Sequence, residues 1–241
     1  MSRALRDRAR HVVLGAAACA CGATSTASAQ APPTGGADIP VLIAPSTGEA
    51  GYGEPGTRTV LVEPTAIVGV VVHVRGRLPG AARRRAILQR LDPGRGWVTV
   101  KRTRVHSTER FIVGWRPLRS GRTSLRVIVA QRAGAAAAAP IATVNVYRPA
   151  QATFFGPGLY GRQTFCGQVL TAQLLGVAHK SLPCGRLVAI LHQRREIVVP
   201  VVDRGPFNPG FDWDLTQTTA DALGFVGSGT IGYVRAPNPA G

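Results

Sequence analysis

Acidic side chains are the scarcest chemistry in this chain: 12 Asp and Glu stand against 29 Lys and Arg in 241 residues, a formal charge of +17. That imbalance excludes a neutral or acidic surface and turns attention to anionic partners such as nucleic acid, membrane head groups or wall polymers. Aromatic residues are only 6% of the chain. The arginines Arg75, Arg77, Arg83 to Arg85, Arg102 and Arg104 lack the interleaved aromatics of a base-stacking surface, so nucleic acid is not the expected partner. Cysteine is sparse too, with four residues. Two of them, Cys19 and Cys21, lie near the N-terminus. The remaining two thiols, with no accompanying His/Cys cluster, make a poor metal site, and no metal or cofactor is expected. No apolar run approaches the roughly 20 residues that a membrane-spanning helix needs.

The N-terminus has the three parts of an export signal. Arg3, Arg6, Arg8 and Arg10 precede the apolar run Val12 to Ala20, and Ala27-Ser28-Ala29 supplies the small residues that a signal peptidase accepts. Residues 1–29 are therefore expected to be a cleavable secretory signal, giving a protein located outside the cytoplasm. Cys19 and Cys21 follow Ala and Ala where a lipoprotein signal usually has Leu, which speaks against a lipid anchor. Removing this segment lowers the formal charge to +14, still strongly basic. Export also redirects the charge argument toward anionic wall polymers or membrane head groups. In an oxidising compartment, Cys166 and Cys184 read as a disulfide, worth about 3 kcal/mol in the chain-entropy account.

Residues 30–56 are rich in Pro, Gly, Ala and Thr and read as a flexible leader. From 57 to 148, seven short apolar or alternating runs are separated by turn residues: Thr59 to Val62, Ile67 to Val74, Ala86 to Leu91, Trp97 to Val105, Phe111 to Trp115, Ser124 to Val129 and Ile141 to Val146. This spacing predicts an immunoglobulin-like β-sandwich. Trp97 and Trp115 read as core or sheet-face aromatics, and the alanine-rich residues 134–140 as a loop. A second all-β unit over 152–236 is expected to contain strands at Thr153 to Phe155, Gly167 to Leu170, Leu187 to Leu191, Ile197 to Val202 and Thr230 to Val234. One short helix interrupts it, capped by Thr216, running from Gln217 to Leu223 and ended by Gly224. Strands with one short helix suit a small closed barrel.

The run Val199-Pro-Val-Val-Asp-Arg-Gly-Pro-Phe207 ends an apolar strand in a carboxylate at a turn, which makes Asp203 the first candidate for chemistry. The structural alternative is a turn carboxylate paired with Arg204 or another arginine. Apolar neighbours Val202 and Phe207 favour a protonated Asp203, and an inward Arg204 favours an ionised one.

Four motifs in order carry a family resemblance: Phe155-Gly-Pro-Gly-Leu-Tyr-Gly-Arg-Gln-Thr164, Gly176-Val-Ala-His-Lys-Ser-Leu-Pro-Cys-Gly185, Val202-Asp-Arg-Gly-Pro-Phe207 and Asp214-Leu-Thr216. Together they resemble the rare lipoprotein A family, whose members carry a six-stranded double-psi β-barrel related in fold to expansins and barwin. The resemblance implies a groove acting on peptidoglycan glycan strands by lytic transglycosylation, giving 1,6-anhydro-muramyl ends. It implies Asp203 as the proton donor, His179 as its partner in the groove and Asp214 as the groove aspartate found in expansin-like domains. Tyr160 and Trp213 become candidate sugar-stacking faces, with Thr164, Gln168 and Arg204 as further substrate contacts. A lytic transglycosylase needs one well-tuned acid, because the sugar's own 6-hydroxyl is the nucleophile. One departure stands out. The family usually has Gly-Glu where this chain has Gly167-Gln168, and Thr171 stands where an aspartate is common; glutamine neither donates nor accepts a catalytic proton. That substitution keeps open a non-catalytic, expansin-like wall-binding module.

Overall fold

The computed structural model describes residues 57–130 and 141–236. The expected signal segment 1–29, leader 30–56 and loop 134–140 lie outside the described residues. The first seven strands are β1 (Thr59–Leu61), β2 (Thr65–Ile67), β3 (Val72–Arg77), β4 (Arg85–Asp92), β5 (Gly96–Arg104), β6 (Arg110–Trp115) and β7 (Gly121–Val129). Gly69 adopts φ 83° and splits the expected Ile67 to Val74 strand into β2 and β3, a backbone conformation that glycine takes without strain.

These strands form two sheets over one core. The first has the order β1-β3-β6, and the second runs β5-β4-β7 and on to the N-terminal part of β8 (Ala142–Phe155), where β2 pairs in parallel. Alternate residues point inward, as the two-residue period of a strand requires: Phe111, Val113 and Trp115 from β6 meet Leu125, Val127 and Val129 from β7 in one buried cluster. Trp115 is a core residue as expected, and Trp97 lies on the sheet face with the Arg126 guanidinium 4.2 Å from its ring centre.

β8 is the main departure from the expected layout. Instead of two strands separated by Pro149-Ala150-Gln151, it is one strand of 14 residues. Its first part pairs with β7 and β2, and its second part pairs with strands of the C-terminal half. Those are β9 (Val177–His179), β10 (Leu187–His192), β11 (Arg195–Asp203), β12 (Trp213–Thr216) and β13 (Gly229–Arg235). Neighbours run β8-β13-β10-β11-β9-β12 and back to β8, a closed ring of six strands in which β9–β11 and β8–β12 are the parallel pairs. Closure leaves no strand edge exposed in the ring. Gly167 to Leu170 does not become a strand; only an isolated bridge joins Gln163 and Val169.

The helix α1 (Gln217–Leu223) follows its local signals. Thr216 caps it, accepting a hydrogen bond from the Thr219 N–H, and Gly224 ends it at φ 64°. The cap is also a tertiary device. The Gly176 N–H donates to both Thr216 Oγ1 (3.2 Å) and Thr219 Oγ1 (3.0 Å), while the Thr219 hydroxyl donates to the Gly176 carbonyl. All these groups are buried, so the network satisfies polar atoms that would otherwise be costly. Gly176 has no room for a side chain: a Cβ there would lie 2.5 Å from Val202 Cγ2 and 2.6 Å from Val202 Cγ1. Gly176→Ala is expected to cost about 1–3 kcal/mol in urea denaturation, and Gly176→Ala with Val202→Ala to be less destabilised than the sum of the two single variants.

Candidate active site

The position of Asp203 depends on a bulge. β11 pairs in parallel with β9 through Val201↔Val177 and then Asp203↔Ala178, so two steps on β11 match one on β9. Val201 and Val177 are fully buried in the barrel core. Without the extra residue, Asp203 would share their inward face; the bulge moves it into the row of Ala178, on the other side of the sheet. Two backbone N–H groups then fix the carboxylate, with Phe165 (2.9 Å) and Arg204 (2.8 Å) both donating to Oδ1.

Asp214 joins the same row from the opposite side. β12 pairs with β9 through Asp214↔Ala178 and with β8 through Asp214↔Thr153. Asp203, Ala178, Asp214 and Thr153 therefore line up across four strands, with the carboxylate-bearing strands two spacings, or about 10 Å, apart. The Thr153 hydroxyl donates to Asp214 Oδ1 at 2.6 Å. Burial pushes the Asp214 carboxyl above its ordinary range; the Thr153 hydrogen bond opposes this and the charge of Asp203 adds to it.

His179 occupies the alternate row. It pairs with Trp213, and the two rings lie 4.5 Å apart. Its Nδ1 accepts N–H bonds from Ser181 and Leu182, both at 3.1 Å. With Nδ1 occupied as an acceptor, the neutral ring carries its hydrogen on Nε2. Burial pulls its pKa below the ordinary histidine value; Asp212 opposes the shift, and Lys180, Arg204 and Arg235 reinforce it. No hydrogen bond joins His179 to Asp203 or Asp214 among the described residues.

Two sequence expectations need correction. Trp213 is not a sugar face: it is fully buried, because residue 213 falls on the inward row of β12, where it packs on His179 and Tyr233. Phe207 does not bury Asp203, since its ring is 81% exposed beyond the Gly205-Pro206 cis peptide. Tyr160 is exposed and its hydroxyl packs over Gly156. Thr164 is buried and donates to the side-chain carbonyl of the exposed Gln168 at 3.2 Å. The Arg204 guanidinium lies 4.5 Å from the Phe165 ring centre and makes no ion pair with Asp203. Cys166 and Cys184 form the expected disulfide, tying the Phe165 segment to the turn after His179. Among the described residues no group of His, Cys, Asp or Glu is arranged to hold a metal ion.

Sequence reasoning missed Thr153 and Phe165. Thr153 meets Asp214 only through a parallel pairing of residues 61 apart in sequence, for which no local signal exists. Phe165 lay between two motifs and gave no separate sign.

The closed ring with its two parallel pairs and the paired aspartates define a double-psi β-barrel. A family model described as lytic transglycolase matches residues 151–235. The endolytic peptidoglycan transglycosylase RlpA of Pasteurella multocida is 38% identical over 86 residues, covering 35% of this chain and 29% of that protein. RlpA of Haemophilus influenzae is 39% identical over 77 residues, covering 31% and 26%; RlpA of Campylobacter jejuni is 35% identical over 81 residues, covering 33% and 30%. The matches thus span less than a third of these curated relatives. Residues 151–235 are an RlpA-like double-psi β-barrel domain.

The raised Asp214 value has a definite sign in stability. The folded state holds this proton more tightly than the unfolded chain does, so its contribution is complete below the ordinary value of 3.8 and is lost as pH rises through the folded value. Asp214→Asn should therefore gain on the wild type as pH rises from acid to neutral in urea denaturation. Thr153→Val, which removes the opposing hydrogen bond, should steepen the wild-type loss.

Proposed function

We propose that the barrel cleaves peptidoglycan glycan strands as a lytic transglycosylase. The observation that carries this reading is the aspartate pair set in one row across Ala178, one member fixed by backbone N–H groups and the other hydrogen-bonded by the Thr153 hydroxyl, with burial pushing its carboxyl above the ordinary range. The similarity of residues 151–235 to proteins named endolytic peptidoglycan transglycosylase supports the substrate.

In this reading Asp214 gives its proton to the glycosidic oxygen as the C1–O bond breaks. The sugar's own C6 oxygen then bonds to C1, and its proton passes to the Asp203 carboxylate oxygen, leaving a 1,6-anhydro-muramyl end. The proton returns to Asp214 before the next cycle, so no water is consumed. His179, on the row alternate to the aspartates and packed on Trp213, carries its hydrogen on Nε2 and acts as a positioning residue for that end of β9. Arg204, Tyr160, Thr164 and Gln168 complete the substrate contacts.

The finer organisation belongs to the same proposal. Residues 1–29 direct export, 57–148 form an immunoglobulin-like sandwich, and 152–236 form the barrel of a wall-associated protein. Residues 57–130 hold sixteen Lys or Arg against three Asp or Glu, whereas 141–236 hold eight against five. The sandwich is therefore the part suited to anionic wall polymers.

A second reading, glycan binding without turnover, is favoured by Gln168, which holds a hydrogen bond where the family resemblance leads one to expect a carboxylate. Mass spectrometry of peptidoglycan incubated with the mature protein separates the two. The expected result is anhydro-muramyl products from the wild type, reduced roughly a hundredfold or more in Asp214→Asn and Asp203→Asn; bound glycan with no products supports the binding module. Retention on intact walls is expected to fall steeply with ionic strength, and salt-insensitive retention counts against the basic sandwich as the anchor.

A further inference from the structure

We propose that Phe165 and Phe207 form a two-ring sugar platform that seats a pyranose chain over Asp203; this rests on the glycan-cleaving reading above. Of the seven phenylalanines in the chain, the other five are buried or half-buried, but Phe165 is 67% and Phe207 81% exposed. Phe165 is tied to the Asp203 carboxylate through its backbone, and Phe207 lies on the turn that follows it. The Phe165 backbone N–H donates to Asp203 Oδ1 at 2.9 Å. Phe207 follows Asp203 by four residues, and its ring folds back over Gly205, with ring carbons 3.8 and 3.9 Å from where a Cβ on that glycine would lie.

Apolar rings exposed in this way gain little for folding, and two of them on the segments that border Asp203 point to a ligand with a complementary face. A pyranose offers such a face, because its axial C–H bonds meet the electron-rich face of an aromatic ring. The Phe165 ring is held in place. Next to it, Cys166 donates its N–H to the Val202 carbonyl at 3.3 Å and is disulfide-bonded to Cys184. The Arg204 guanidinium covers one face of the ring, leaving the other for the sugar. A ring fixed before binding loses little freedom when the sugar arrives. The pair takes the stacking role that buried Trp213 cannot fill.

The test compares Phe165→Leu and Phe207→Leu with Phe165→Tyr and Phe207→Tyr on peptide-free glycan, reading KM, kcat, glycan pull-down and thermal midpoint. Leucine keeps apolar area but lacks the ring face. Each leucine variant is expected to raise KM and weaken binding about three- to tenfold, with kcat and thermal midpoint held. The tyrosine variants are expected to match the wild type, as is Val226→Ala, an 87% exposed apolar control. If Phe165→Leu fails to fold, Phe207→Leu carries the test alone. Wild-type activity with unchanged KM and binding in the leucine variants overturns the platform and leaves the enzyme reading intact. A wild type that neither binds nor cleaves glycan overturns both.

Discussion

The barrel depends on one parallel pairing. β12, only four residues long, lies beside the end of β8 and closes the ring. The Asp214 side of the site follows from that closure. It sets Asp214 beside Thr153, turns Trp213 into the core, and through Trp213 fixes the ring of His179. Without it β9, three residues long, would lose its antiparallel partner, and the row joining the two aspartates across Ala178 would be cut. A short strand with few local contacts thus holds the positions of groups supplied by residues 153 to 214.

The two carboxylates show how environment divides labour between identical groups. Asp203 ends a long strand, is re-aimed by an extra residue in that strand, and is gripped by main-chain donors. Asp214, on the short strand β12, has a neutral hydroxyl as its hydrogen-bond donor. Main-chain N–H groups hold the first in one orientation, whereas burial favours the neutral acid at the second, against the pull of the Thr153 hydroxyl. The histidine completes the contrast, since donors at Nδ1 and partial burial both disfavour its protonation.

What could be read from the sequence was local. Helix α1 runs from Gln217 to Leu223 between Thr216 and Gly224 as its caps dictate, because capping is decided within a few residues. The Cys166–Cys184 pairing was legible because two thiols leave one choice. Long-range pairing was not legible. β9 and β12 are too short to show a period, and the bulge that re-aims Asp203 appears only when β11 is laid against β9. Trp213 beside a motif aspartate resembled a sugar face, but one step along a strand reverses the side on which a residue falls. Pro149 and the polar Gln151 imitated a linker, yet both lie within the β8–β13 ladder.

β8 also bears on how this barrel can be moved between proteins. The segment recognised by its family begins at residue 151, but the barrel's ladder with β13 begins at Arg148, and the same unbroken strand starts at Ala142 inside the neighbouring sheet. The heritable module and the folding module therefore have different starting points. A transplanted 151–235 fragment leaves Ile231, Gly232 and Tyr233 facing an empty rung of the ladder, so a new host must lend it the first residues of a strand.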